Sequence, residues 1–133
     1  AHGKQLPTTD QWEYVLADQG RNRGQITTEA LDWYSSANPK SPPPVNTAHK
    51  NSFGVAGLVG LIWEWTLDFN GFMLNPELRD NGGSDRALFC GSGSFGARDA
   101  TDYAAFMRYA MRSSLHADYT TNNLGFRCVK ESP

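Results

Sequence analysis

The sequence predicts an α+β domain of short strands, a few helices and much irregular loop. Two segments place apolar side chains at helical spacing: Trp12, Val15 and Leu16 near the start, and Tyr103, Phe106, Met107, Ala110 and Met111 later on. Between and after them, apolar runs are short and bounded by Gly, Asn and Asp, which is the pattern of strands between turns. Long stretches without either period, such as 70–84, read as loop.

The totals fit that class. The chain has 133 residues, enough for one domain with a modest core. Hydrophobic residues make up 39% and aromatics 12%, a globular rather than a disordered composition. With 12 basic and 14 acidic side chains the formal net charge is -2, which argues against nucleic acid as the main partner. No apolar run approaches the length of a membrane span. The two cysteines, Cys90 and Cys128, leave three options open: one bridge, two free thiols, or bonds to another chain.

Taken in order, Leu6-Pro7-Thr8 opens the first helix. Thr8 is a cap and Gln11 stands at the capping-box spacing, so a helix is expected from Thr9 to Asp18, with Gly20 as its stop. Arg21 to Gln25 reads as loop and Thr27 to Tyr34 as a short second helix. Pro42-Pro43-Pro44 excludes helix and makes an extended surface connector. Gly54, Gly57 and Gly60 recur every three residues, which suggests a tightly winding loop. No Gly-Lys-Ser/Thr follows it, so it is not a phosphate loop.

The apolar run Gly60-Leu61-Ile62-Trp63-Glu64-Trp65-Thr66-Leu67-Asp68 holds one carboxylate between two indoles, and Trp63 to Asp68 reads as a buried strand. An ionised Glu among apolar groups is costly unless it is satisfied. Glu64 is therefore ion-paired, hydrogen-bonded or a metal ligand, and the residues alone leave these open. Leu88 to Ser92 reads as another strand. Asp99 or Thr101 caps the later helix, which carries Arg108 and Arg112 beside its apolar stripe. Leu124 to Val129 is a terminal strand. There are no internal repeats.

Four blocks carry a family likeness. They are Gly3-Lys4-Gln5-Leu6-Pro7-Thr8 through Trp12-Glu13-Tyr14, then Asn51 to Gly60 leading into Trp63-Glu64-Trp65-Thr66, then Arg108 with Arg112, and Asn123-Leu124-Gly125-Phe126-Arg127. In this order they resemble the formylglycine-generating-enzyme, or sulfatase-modifying-factor, family, whose fold is a variant of the C-type lectin fold. The blocks Phe89-Cys90-Gly91 and Asp102 to Ala110 look most like a bacterial branch found beside copper nitrite reductase. The likeness covers the C-terminal half of such a domain over residues 1–133. It implies that an N-terminal half is absent or lies on another chain, and that a partner chain or a self-association surface exists.

The resemblance also sets expectations for the sites. The family's catalytic copper-binding cysteine pair falls in the interval Ser92 to Arg108, which here contains no Cys. Thiolates are the soft ligands that Cu(I) requires, so copper chemistry by that route is not expected. His2, His49 and His116 lack the spacing of a metal-binding His set. If Ala1 is a true chain start, its amine and the His2 imidazole form a Cu(II) chelate, and the competing and favoured expectation is a disordered terminus.

The family's matching Glu ligates calcium with carbonyls of the preceding loop. That places an expected Ca2+ site at Glu64 with the carbonyls of Gly60 and Ile62, one oxygen weaker because Gly57 stands where the family has Asn. The competing expectation is a Glu64 held by Arg or backbone donors. A Cys90–Cys128 disulfide is expected if the equivalent strands pair antiparallel. Arg108, Arg112 and Arg127 form a candidate carboxylate- or sulfate-binding set, weighed against salt bridges to Asp99 or Asp118.

The function expected from all this is a non-catalytic binding or accessory module, periplasmic or secreted, associated with copper nitrite reductase or denitrification machinery. Two alternatives stand beside it: a copper-dependent oxidase with a degenerate site using Cys90, and a lectin-fold protein with variable ligand-binding residues.

Overall fold

The computed structural model describes residues 3–69 and 100–130. They fall into two compact units, one formed by Ala1–Asp68 with Thr120–Pro133 and the other by Phe69–Tyr119. Both helices and strands occur, so the class is mixed α+β, as the sequence predicts.

In the first unit, β1 (Lys4–Gln5) leads into α1 (Thr9–Ala17), a 3-10 turn at Asp18–Gly20, and α2 (Arg23–Ser35). A second 3-10 turn spans Val45–Thr47, followed by β2 (Trp63–Glu64), β3 (Leu124–Gly125) and β4 (Val129–Lys130). The strands form two small pairs. β1 runs antiparallel to β4 with Lys4 opposite Lys130, and β2 runs parallel to β3 with Trp63 opposite Leu124.

Helix α1 has the expected capping box. The Thr8 hydroxyl accepts from the Gln11 N–H at 3.2 Å, and the Gln11 side chain accepts from the Thr8 N–H at 2.9 Å. A third group reaches the same end from far along the chain. Asp68 Oδ1 accepts from the Thr9 N–H at 2.7 Å and from its hydroxyl at 2.9 Å. The Thr9 hydroxyl also meets that of the fully buried Thr66, 3.0 Å away.

The helix ends earlier than Gly20. Asp18 turns into the left-handed region at φ 48 and its N–H bonds back to Val15 O. Asp18 is buried, and its Oδ1 accepts from the Ser52 N–H at 2.9 Å and from the Ser52 hydroxyl. Asn51 reinforces the junction by donating to Val15 O at 2.8 Å. The Asn51–Val55 turn thus closes the C-terminal end of α1.

Helix α2 corrects the expected loop at Arg21 to Gln25. It begins after Asn22, a left-handed residue at φ 53, and runs through Gly24. Local side-chain bonds carry its first turns: Thr28 Oγ1 donates to Gly24 O at 3.0 Å, and Gln25 donates to Glu29 at 2.8 Å. The Gln25–Glu29 side-chain pair, at i, i+4, adds helix stability where apolar periodicity is weak.

The core of this unit is Trp12, Leu16 and Leu58, with Val15, Ile26, Val55 and Val59 packed against it. The loop that delivers Leu58 winds as expected, with Gly54, Gly57 and Gly60 all at positive φ. Two further expectations are corrected. The ladder of the Trp63–Asp68 run extends only over Trp63–Glu64, although Trp65 N–H still donates to Gly125 O at 2.9 Å and Leu67 N–H to Pro7 O at 2.8 Å. The single terminal strand splits at Phe126–Cys128, because its two halves pair with different strands.

The second unit contains α3 (Ala100–Ser114). Its buried positions are Ala104 and Arg112, followed by Leu115, whereas Tyr103 at the head of the predicted apolar stripe is exposed. The cap candidate Asp99 and the Leu88–Ser92 strand lie outside the described residues. No helix among the described residues is long and apolar enough to cross a membrane.

Two outcomes follow from this packing. A Cβ at Gly57 would drive into the Leu61 side chain at a φ of +67, whereas Gly60, at +90, faces open space. Gly57→Ala should cost about 2–4 kcal/mol, combining backbone strain with overpacking, and Gly60→Ala only about 1. Urea unfolding measures both, and equal losses would contradict the close approach.

The second outcome concerns acid. The Ser52 hydroxyl holds the Asp18 carboxyl below the usual carboxylate range, against the opposing effect of burial. Because the folded-state value is depressed, the stabilisation is full above the unfolded value, about pH 4, and fades as pH falls below it. Asp18→Asn should therefore lower Tm at pH 7, with the gap to the native protein narrowing as pH drops from about 4 towards 2.

Candidate functional site

The candidate site forms where α1, the Gly54–Gly60 loop, β2 and the segment after β3 converge, all within the first unit. Trp12, on the buried face of α1, points its indole N–H at Glu64 Oε2, 2.8 Å away. Arg127, two residues beyond β3, approaches from the other side. Its Nε donates to Oε2 at 2.6 Å and its Nη2 to Oε1 at 2.7 Å. The same Nη2 also reaches the carbonyls of Ala56 at 3.2 Å and Gly57 at 3.4 Å.

Local sequence explains the arrangement. The parallel pairing of β2 with β3 sets Glu64 opposite Gly125, so Arg127 follows two residues later on the same segment. A Cβ at Gly125 would stand 2.6 Å from Ile62 Cδ1, so any larger residue there would require the end of the Ile62 side chain to shift. Beside Glu64, Trp63 stacks on Tyr34 with ring centroids 5.2 Å apart and 10° between planes, and meets Trp33 at a tilt of 36°, 4.8 Å away. These contacts fix β2 against α2.

Electrostatically the cluster is closed. The Glu64 side chain is 6% exposed and that of Arg127 27%, so the pair is largely removed from water. Three donors cover the two carboxylate oxygens, which is what a buried carboxylate requires. Of the two expectations for Glu64, the geometry shows the arginine-held one.

A calcium ion would need six to eight oxygens. Here the Glu64 oxygens are spent on Arg127 and Trp12, and Gly57 supplies no side-chain oxygen, so these residues do not fit a calcium site. No group of three or more His, Cys, Asp or Glu among the described residues is placed to hold a metal ion.

The other sequence-derived candidates fall in different units or outside the described residues. Arg127 is bound to Glu64, while Arg108 and Arg112 lie on α3 in the second unit. Cys128 carries an exposed, unbridged thiol, and Cys90 lies outside the described residues. His116 packs edge-on to Tyr119 with ring centroids 5.1 Å apart, His49 is exposed, and His2 lies outside the described residues.

Sequence reasoning identified Glu64 and Arg127 separately but did not pair them, and it read Trp12 only as core. The available signal was the demand itself: a buried Glu needs a partner, and Arg127 sits in the last block of the family likeness. A cavity of about 410 Å³ also opens beside the core, lined by Leu16, Ile26, Leu58 and Leu61, with Glu29 and His49 among its walls.

Removing either charged partner leaves the other buried and uncompensated. Glu64→Gln should destabilise the protein by about 3 kcal/mol, the low end of the range because Arg127 retains some solvent. Trp12→Phe should cost about 1.5 kcal/mol through loss of one charge-assisted bond. Denaturant unfolding of both variants checks the assignment, which fails if each stays within about 0.5 kcal/mol of the native protein.

Comparison with known proteins follows the same residues. The model of the sulfatase-modifying factor enzyme 1-like domain matches residues 1–132. A formylglycine-generating enzyme of Streptomyces coelicolor is 30% identical over 98% of this chain and 48% of its own length. Enzymes of the same name from Mus musculus and Mycobacterium tuberculosis are 27% and 24% identical, over 97% of this chain and 40% and 52% of their own lengths. The chain thus spans about half the length of these relatives. No solved structure matches it significantly. With nearly every residue inside the family match, the chain belongs to the sulfatase-modifying factor enzyme 1-like domain family.

Proposed function

We propose that this chain is a non-catalytic member of its family, a binding or accessory module on a C-type-lectin-type α+β frame. One observation carries the reading. Between Cys90 and Cys128 the sequence contains no cysteine, so the interval Ser92 to Arg108 offers no thiolate pair for Cu(I). The Glu64 cluster supports it from the structural side. Its carboxylate is fully engaged by Arg127 and Trp12 and stands ready neither as a base nor as a nucleophile.

The narrower form of the reading is a periplasmic accessory to copper nitrite reductase. It rests on the likeness of the Phe89–Gly91 and Asp102–Ala110 blocks to that branch. A second polypeptide completing the domain belongs to the same reading. What supports it is the core side chains Leu16 and Leu58 opening onto the 410 Å³ cavity.

The test separates accessory from oxidase. The reduced protein is titrated with Cu(I) against a competing chelator, then incubated with oxygen and a cysteine-bearing sulfatase-type peptide. The expected result is no copper retained and no peptide cysteine oxidised, while affinity capture from the native source recovers a reductase. Copper retention together with peptide oxidation would overturn the non-catalytic reading. A deletion that leaves reductase copper content and activity unchanged would overturn the narrower one.

A further inference from the structure

The cavity beside the core is walled within the first unit by the end of α1, by α2, by the turn at Val45–Thr47 and by the glycine loop. At about 410 Å³ it has the size of a small-molecule pocket. Its lining is mostly apolar, and Ile26, Val59 and Leu61 are only half-buried, so apolar surface is left for a ligand to cover. The polar lining is of two kinds. Thr47 and Asn51 are spent inside the chain: the Thr47 hydroxyl donates to Pro44 O at 2.6 Å, and the Asn51 side chain donates to Val15 O and accepts from the Phe53 and Val55 N–H groups. Glu29, Asp32 and His49 are exposed. Glu29 accepts one bond, from Gln25 at 2.8 Å. Among the described residues neither carboxylate is in an ion pair, and no Lys or Arg lines the cavity.

Glu29 and Asp32 stand three residues apart on α2, where helix side chains are neighbours and like charges repel. A bare metal ion would leave the apolar lining uncovered, and a neutral apolar guest would leave the two charges facing each other. We propose that this cavity binds a small organic cation, with an apolar body seated against Leu16, Ile26, Leu58 and Leu61 and a protonated amine meeting Glu29 and Asp32. The proposal rests on the binding-module reading and names the class of ligand.

The two halves of the ligand do different work. Each methylene taken out of water by the apolar lining raises affinity about fourfold. The carboxylates stand in solvent, so each adds at most about fivefold, and salt screens that gain. Affinity therefore comes from the body, and the choice of cation over alcohol or anion comes from Glu29 and Asp32. Because both side chains are exposed, replacing them by their amides removes the charge and leaves the core untouched.

Three probes of equal chain length, hexylammonium, hexanol and hexanoate, are titrated into the 15N-labelled protein at pH 8 and low salt, and amide shifts give both affinity and location. Hexylammonium should bind most tightly, about 3–25-fold better than hexanol, with hexanoate weakest. The shifts should fall on α2 and on residues 47–61. Butylammonium should bind about tenfold more weakly than hexylammonium. In the protein carrying both Glu29→Gln and Asp32→Asn, hexylammonium should drop to the level of hexanol, while hexanol itself is unchanged. Raising the salt to about 1 M should narrow the same gap in the native protein, a readout that needs no variant. Hexylammonium that binds no better than hexanol, that keeps its advantage in the double variant, or that shifts residues elsewhere would overturn the proposal. Silence from all the probes would overturn it too, and would leave the second-polypeptide reading of the cavity standing. The outcome is separate from that of the copper titration, which alone decides whether the chain is catalytic.

Discussion

The Glu64–Arg127 ion pair is the constraint on which the first unit rests. A carboxylate with a side chain only 6% exposed must be compensated, and one guanidinium does so while also bonding two loop carbonyls. The pair therefore ties four stretches together: α1 through Trp12, the glycine loop through Ala56 and Gly57, β2 through Glu64, and the C-terminal segment through Arg127. Apart from α1, these stretches have little regular structure with which to hold themselves. Each strand is two residues long, below what a pair of strands can sustain alone in water. Polar closure and a small apolar core share that work.

The same logic repeats at the two ends of α1. Its N-terminus is satisfied by Thr8 and Gln11 locally and by Asp68 from 59 residues away. Its C-terminus is satisfied by Asp18 and Asn51, which bind the start of the glycine loop to the helix. A helix of nine residues is marginal in isolation. Here each end is held by a group from the segment that also brings Leu58 or Glu64 inward. Capping and core assembly are thus one event, with long-range partners doing what length and propensity do in larger helices.

How much of this was legible follows from the range of each interaction. The capping box of α1, the winding of the three glycines and the α+β class rest on local rules and could be read from the sequence. The start of α2 could not, because Gly24 and polar first-turn residues mask a helix supported by side-chain bonds such as Gln25 to Glu29. The division of the terminal strand was hidden because strand pairing is non-local: Leu124–Gly125 and Val129–Lys130 look like one run but answer to different partners. In the candidate site, the need of Glu64 for a partner was legible from its apolar neighbours. The choice between arginine and metal was not, since spacing cannot say which cation arrives.

The blocks that carry the family likeness gain a physical meaning from this cluster. Trp12 comes from the first block, Glu64 from the Trp63-Glu64-Trp65 block and Arg127 from the Gly125-Phe126-Arg127 block, and the three meet at one carboxylate. The likeness therefore reports a frame: which residues must be present for the loop, helix and strands to close on one another. Chemistry in this family's enzymes is expected from a different interval, 92–108, where this sequence has no cysteine. Frame and reaction draw on different residues, so a shared frame does not by itself fix the reaction. Membership of the family rests on the match over residues 1–132, and Trp12, Glu64 and Arg127 are the residues in it that close the first unit on itself.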